Sequence, residues 1–240
     1  MGTLWQNGAR LTNKRVGYFT LLTWLFLLLW HAGPLLQRRF EISLAACLRA
    51  SLALTTTLLS AIGMEYYARF AHRSLWHGPE SSRWWLIHRT HHTHKSESDV
   101  FELNDIYSLI NIPLVVGPML WVTTAAPSLP RACLLGYTVG VSAFGTAYMV
   151  VHDGVHHRRF PVGPLARVPL VKRIADAHAE HHKSAMGPPF GMFLGPEELV
   201  AEAEGRAPAP PPRWLLLGLK ATAAFTVAGL AWELCAAAVA

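Results

Sequence analysis

Glu41 to His77 reads EISLAACLRASLALTTTLLSAIGMEYYARFAHRSLWH. From Glu41 to about Arg69 this stretch is mostly apolar, with Arg49 charged in its midst, and no proline interrupts the chain between Leu35 and Gly78. A helix rising 1.5 Å per residue needs about 20 apolar residues to cross a bilayer. One helix is therefore expected to cross the apolar layer and continue several turns into water, carrying His72 and His77 out with it. Arg49 is expected to face protein or reach for an interface. A span that ends in histidines points to one fold class. It is an all-α, multi-pass membrane helical bundle with a helical cap carrying a histidine-rich site.

Other apolar runs lie on either side. Val16 to Trp30 follows a short basic leader (Arg10, Lys14, Arg15) and stops at Gly33-Pro34. It lacks a small-residue cleavage site and reads as a signal anchor or first span; a transit-peptide remnant is the alternative, since no acidic residue precedes Glu41. A third run, about Ser108 to Ala126, contains Pro113 and Pro118 and is expected to be kinked or partly re-entrant. A fourth, Ala132 to Val151, is rich in Gly and Ala, as close helix packing requires. The fifth, Trp214 to Ala240, carries Lys220 and Glu233 and is the weakest span. It follows the stiff linker Arg206-Ala-Pro-Ala-Pro-Pro-Pro-Arg213. The expected organisation is a membrane oxygenase domain over 1–205 with its motifs in 64–199, a linker over 206–213 and an additional apolar helix over 214–240.

If all five runs cross, loops 63–107 and 152–213 share one side. They hold Arg69, Arg73, Arg83, Arg89, Lys95, Arg158, Arg159, Arg167, Lys172, Arg173 and Lys183, against Arg38, Arg39 and Arg131 opposite. Short loops rich in Lys and Arg stay cytoplasmic, so that side is the cytoplasm or its stromal equivalent. The host membrane is then a bacterial inner membrane or a plastid membrane.

Composition agrees. Charged residues are 15% of the 240, against about 25% in soluble domains, and hydrophobic residues are 52%. Mean hydropathy is +0.25. The net charge of +6 is spread through loops beside apolar runs without an RNA-binding motif, which sets nucleic acid aside. Cys47, Cys133 and Cys235 all lie in apolar stretches and form no C-x-x-C pair, which argues against disulfides and thiolate metal sites.

Histidine is the anomaly: 13 residues, of which only His31 lies before His72. Four groups stand out, namely His72-x4-His77, His88-x2-His91-His92, His152-x4-His157 and His178-x2-His181-His182. In H-x2-H-H the positions i, i+3 and i+4 share a helix face, so three imidazoles are expected to converge on one point. H-x4-H is harder to satisfy, because five residues at about 100° each leave the second ring roughly 140° around. Such a pair serves one centre only where the helix ends or bends, or else it straddles two metals; Gly78-Pro79 and Gly154 offer breaks. His31 and His94 read as interfacial side chains.

About ten imidazoles exceed the three or four that one zinc needs, so two metals with open positions are expected. Imidazole suits Zn, Cu, Fe and Ni alike. A site facing lipid favours an apolar substrate, and attack on its C–H bonds requires activated O2. Nearby carboxylates are few: Glu65, Glu102, Asp105, Asp153, Asp176 and Glu180. Glu65, Asp105 and Asp153 are candidates to accept the second N–H of a ligating imidazole, and Asn104 for a water-mediated contact. A surface role for these carboxylates is equally open. A metal transporter would place ionisable groups mid-span along a pathway rather than at one face. A bis-histidine haem protein needs only two axial ligands per haem, far fewer than this chain offers.

The clusters and the segments around them resemble the non-haem β-carotene 3-hydroxylases, a branch of the fatty acid hydroxylase and sterol desaturase superfamily. The resemblance runs from about Met64 to Leu199 through MEYYARFAHRSLWHG, HRTHH, FELND (Phe101 to Asp105), FGTAYMVVHDG, HRRFPVGP (His157 to Pro164), AHAEHH and PFGMFLGPEEL. It implies that His72, His77, His88, His91, His92, His152, His157, His178, His181 and His182 ligate two non-haem irons. His156 stands where the family carries an aliphatic residue and is set aside as an extra ligand. The fifth apolar segment is a second departure.

The resemblance further implies O2 as co-substrate and insertion of one oxygen atom at carbon 3 of a β-ionone ring. β-Carotene would give β-cryptoxanthin and then zeaxanthin. With no G-x-G-x-x-G fingerprint, electrons come from outside, from a ferredoxin or similar donor with its reductase. Arg158, Arg159, Lys172 and Arg173 form a basic face able to steer an acidic donor, or else serve topology alone. Phe101, Leu103, Phe160, Phe190, Met192 and Phe193 are candidates to line the ring's route, with plain packing as the alternative. Hydroxylation or desaturation of a fatty acyl or sterol lipid, and carotenoid ketolation, remain rivals within the same chemistry.

Overall fold

The computed structural model describes residues 44–93, 102–184 and 187–239. The first apolar run, His31, His94 and Phe101 lie outside the described residues. Among those described there is no strand. Seven α-helices follow one another: α1 Leu44–Ala71, α2 Arg83–Thr93, α3 Ile106–Thr124, α4 Leu129–Met149, α5 Pro169–Ser184, α6 Gly195–Ala203 and α7 Arg213–Val239. Two π-helical turns extend α1 and α4, π1 at His72–Trp76 and π2 at Val150–His156. The all-α expectation from the sequence is met.

Four helical stretches are long and apolar enough to cross a membrane: Leu44–Trp76, Leu103–Thr124, Leu129–His156 and Arg213–Ala238. Their side chains are mostly not covered by protein. Leu54, Leu58, Leu114, Leu217, Val227 and Trp232 are all more than half exposed, a surface that lipid accepts and water does not. Hydroxyls inside these helices bond back to their own backbone, Thr56 Oγ1 to Leu52 O and Thr57 Oγ1 to Ala53 O, each at 2.8 Å. Those hydroxyls therefore do not need water. Both Pro113 and Pro118 sit within α3, which runs unbroken over 19 residues, so the partly re-entrant form expected from them is replaced by one continuous helix. Each proline removes a single N–H donor, and the remaining ladder holds.

The chain forms two compact units, and the boundary cuts across helices rather than between sequence segments. One contains 44–64, Ile110–Phe144 and 211–239. In it, Gly136 and Gly140 let α4 lie directly against α1. A Cβ on Gly136 would stand 2.3 Å from Ala53 O, and one on Gly140 2.4 Å from Thr57 O. This is small-xxx-small packing, which membrane helices use where apolar burial gives no drive. Arg131 Nη2 lies 3.0 Å from Glu233 Oε2, an ion pair without hydrogen-bond alignment, so the acidic residue that weakens the last apolar run has a partner.

The other unit contains Glu65–Leu109 and Gly145–Pro210, the described residues of which include eleven histidines. Its apolar core joins Val151 to Ile174, Ala175 and Met192, with Tyr148 and Phe193 packed against them. Arg69 Nη2 donates to Ala209 O at 2.7 Å, which pins the proline-rich linker to the end of α1.

Candidate metal centre

The H-x4-H pairs are resolved by the two π-turns. His77 N donates to His72 O, and His157 N to His152 O, both at 2.9 Å. These are i→i+5 bonds, so each turn holds one residue more than an α-turn. Residues five apart, splayed on an α-helix, are thereby returned to one side. Neither Gly78-Pro79 nor a simple helix end does this work, although Gly154 lies inside π2.

Ten histidines form two groups of five. The first is His72 and His77 from the π1 region, His88 and His92 from α2, and His181 from α5. The second is His152 and His157 from the π2 region, His91 from α2, and His178 and His182 from α5. Within each group the ligand-capable nitrogens all lie within 4.8 Å of one another. The expectation that each H-x2-H-H helix sends three rings to one point is corrected. Each helix gives its i and i+4 rings to one group and its i+3 ring to the other. Positions i and i+4 lie nearly in line on a helix while i+3 falls to their other side, so two neighbouring centres divide them.

Hydrogen bonds fix how the rings are presented. His72 Nδ1 lies 2.8 Å from Phe190 O and His181 Nδ1 2.9 Å from Gly187 O. A carbonyl only accepts, so these nitrogens carry the proton and Nε2 is left with a lone pair. His88 Nδ1 donates to Asn104 Oδ1 at 2.8 Å, His91 Nδ1 to Glu102 Oε2 at 2.7 Å, and His152 Nδ1 to Asp153 Oδ1 at 2.9 Å. His72 Nε2 then faces His88 Nε2 at 3.0 Å, and His91 Nε2 faces His152 Nε2 at 3.0 Å. Neither pair has a proton to share. Two lone pairs at that distance repel, and a cation between them turns the repulsion into ligation.

The spacing also speaks to geometry. With metal–nitrogen bonds of about 2.1 Å, ligands at right angles stand about 3.0 Å apart and tetrahedral ones about 3.4 Å. Adjacent Nε2 atoms at 3.0–3.1 Å in both groups match the wider coordination that five imidazoles offer. The donor set therefore fits a pair of transition-metal ions.

Burial keeps seven of the rings outside the apolar spans neutral, the form that binds metal. It holds His77 down to about 3, His88, His92 and His157 to about 2, and His181 to about 4, with neighbouring imidazoles adding to the effect. His178 and His182 are lowered for the same reason.

The remaining expected residues fall as follows. Asn104 and Asp153 accept from ligand-group imidazoles. Asp105 instead meets Arg159 in a two-pronged ion pair, Nη1 to Oδ1 at 2.8 Å and Nη2 to Oδ2 at 2.7 Å. Arg159 Nη1 also reaches Asp153 Oδ1 at 3.2 Å. Burial lowers the Arg159 pKa, but the bond to Asp105 and the charges of Asp153 and Asp105 outweigh it and raise the value. Glu65 is buried and accepts from Leu194 N at 2.9 Å, beside Glu198, which accepts from Phe190 N at 2.8 Å and Gly191 N at 3.1 Å. These two carboxylates hold the loop whose carbonyls orient His72 and His181.

His156 lies outside both groups, its ring centre 4.4 Å from that of His157 and 4.8 Å from that of His182. Of the apolar candidates, Phe190 sets its ring 5.6–5.8 Å from those of His72, His77 and His181. Met192 and Phe193 belong to the core cluster, Phe160 is buried beside Gly154, and Leu103 is exposed. The basic face is depleted: Arg159 turns inward, Lys172 pairs with Asp176 and Arg173 with Glu197. Reading the sequence names Glu102 only as a nearby carboxylate and misses the Phe190 and Gly187 carbonyls. The 11-residue step from His91 to Glu102 is no local spacing, and a backbone carbonyl has no residue type to notice.

The fatty acid hydroxylase family model matches residues 57–196. A β-carotene hydroxylase 1, chloroplastic, of Capsicum annuum is 45% identical over 141 residues, 58% of this chain and 42% of that protein. A β-carotene 3-hydroxylase, chloroplastic, of Haematococcus lacustris is 46% identical over 143 residues, with the same coverage of 58% and 42%. A β-carotene hydroxylase of Pseudescherichia vulneris is 35% identical over 128 residues, 52% of this chain and 65% of that protein. The matched region thus spans less than half the length of the chloroplastic relatives. No solved structure matches the chain.

Proposed function

The chain belongs to the fatty acid hydroxylase family, and from that premise we propose that it is a membrane carotenoid β-ring 3-hydroxylase. Its substrate is β-carotene drawn from the bilayer, taken through β-cryptoxanthin to zeaxanthin. One atom of O2 enters the ring C–H bond at carbon 3. The other leaves as water, with two electrons and two protons from outside. A ferredoxin-like donor with its reductase fits the lack of a nucleotide-binding fingerprint.

The observation that carries this reading is the pair of five-histidine groups, in which His72 faces His88 and His91 faces His152 through Nε2 atoms with no proton to share. His72, His77, His88, His92 and His181 would hold one iron, and His91, His152, His157, His178 and His182 the other. Iron so held supplies O2 activation. The chain's own residues do the rest. Asn104, Glu102, Asp153 and the carbonyls of Phe190 and Gly187 aim the imidazoles that they meet. Phe190 presents an apolar ring edge beside the first group, suited to hydrocarbon.

If the four apolar helices cross, chain order puts both histidine-bearing connections on one side. The Lys and Arg surplus there assigns that side to the cytoplasm or stroma.

Expression in bacteria that accumulate β-carotene tests the proposal. Zeaxanthin and β-cryptoxanthin are expected, with neither from His182→Ala. Keto-carotenoids instead would make the protein a ketolase. Unchanged β-carotene in cells holding the folded, iron-loaded protein would overturn the substrate class.

A further inference from the structure

The two histidine groups are alike in number and unlike in what stands behind them. In the first, every Nδ1 acceptor is uncharged: Phe190 O for His72, Asn104 Oδ1 for His88 and Gly187 O for His181. Nδ1 of His77 and of His92 is buried and finds no acceptor among the described residues. In the second, the two Nδ1 acceptors found among the described residues are carboxylates. Glu102 receives His91 Nδ1 at 2.7 Å, and Asp153 receives His152 Nδ1 at 2.9 Å. These contacts are shielded, with the His91 side chain 1% and that of Glu102 10% exposed. Arg159 Nη1 donates to the same Asp153 Oδ1 at 3.2 Å and holds that carboxylate in place.

A carboxylate draws the Nδ1 proton further toward itself than a carbonyl does. Electron density is pushed through the ring to Nε2, and the imidazole becomes a stronger donor. Both pairs are mostly buried, so solvent screening levels the difference little.

We infer that the two metal positions are unequal, and that the group of His91, His152, His157, His178 and His182 takes up its ion first and holds it more tightly because Glu102 and Asp153 stand behind two of its ligands. The inference rests on the two-metal reading above. Glu102 and Asp153 act here through the imidazoles and are positioning residues.

The test is anaerobic titration of the purified, metal-stripped full chain in detergent with Co2+ against a competing chelator, read by its visible absorption. Two binding steps are expected in the wild type. His181→Ala should remove the weaker step and His178→Ala the tighter one. Glu102→Gln and Asp153→Asn should each weaken the tighter step about 10–100-fold and leave the weaker one in place. Asn104→Asp places a carboxylate behind His88 and should tighten the weaker step, a gain that no folding defect would mimic. Loss of the tighter step in His181→Ala would reverse the order and overturn the inference. So would an equal effect of Glu102→Gln on both steps, or two steps that Asn104→Asp does not shift. Uptake of fewer than two Co2+ by the wild type would instead sink the two-metal reading itself.

Discussion

At the scale of single residues, the site depends on groups that never touch a metal. Arg159 is the clearest case, because its guanidinium ties Asp105 near α3 to Asp153 in π2. Replacing it with Met leaves two mostly buried carboxylates facing each other without a cation. The expected cost is about 3 kcal/mol, in the range for breaking a buried pair. The metal-free protein in detergent should melt several degrees lower, whereas an unchanged midpoint would show that the pair is idle. The sequence marks Arg159 as basic and places it on a docking face. Only its partners, 54 and 6 residues away, reveal that it is internal.

At the scale of elements, the π-turns and the glycine seam carry the argument. Deleting Val155 would take one residue from π2 and return its phase toward an α-helix. His157 would then stand four residues from His152, an α-helical spacing that still puts both rings on one side, so the purified protein should retain two metal ions per chain. Loss of one ion would mean that the π-turn itself, and not only a shared face, is required. On α4, Gly140→Leu would drive a side chain into Thr57 O and Ser60 Cβ on α1, each under 3.0 Å from the added Cβ. Overpacking of this kind costs about 1–3 kcal/mol. The expected result is a lowered melting point with metal stoichiometry intact, and an unaffected melting point would argue against close contact of α1 with α4.

For the whole molecule, acid is the weak point of the metal-free state. In the unfolded chain a histidine takes up a proton below its ordinary value of 6.5, while in the fold His77 waits until about 3 and His181 until about 4. Between those values the unfolded chain binds more protons, so stability falls as pH drops. Above 6.5 both states are neutral and these groups have no pH effect. The melting midpoint of the stripped protein should be flat from pH 8 to about 7 and fall steeply from about 6.5 toward 4. A profile flat through that window would contradict burial of the imidazoles. Bound metal should blunt the fall, since ligation opposes opening of the site.

What the sequence determines by itself is what local spacing and composition can express. Long apolar runs specify helices able to cross a membrane, and the spacing of the four histidine clusters marks the stretches that meet, while the choice of His157 over His156 comes from the family resemblance. Helix phase is a local property, so a run of 20 apolar residues or an H-x2-H-H repeat speaks without its neighbours. The partition of those histidines is decided elsewhere. That His88 and His92 join His181, while His91 joins His178 and His182, depends on how α2 and α5 face one another across the π-turns. The π-turns are themselves invisible to an analysis that assumes 3.6 residues per turn. So are the Phe190 and Gly187 carbonyls, since every residue carries a carbonyl and only tertiary structure says which one meets a ring. Glu102 and Asp153 are legible as acids, but the inequality they create between the two groups exists only once the chain has brought each behind its own imidazole.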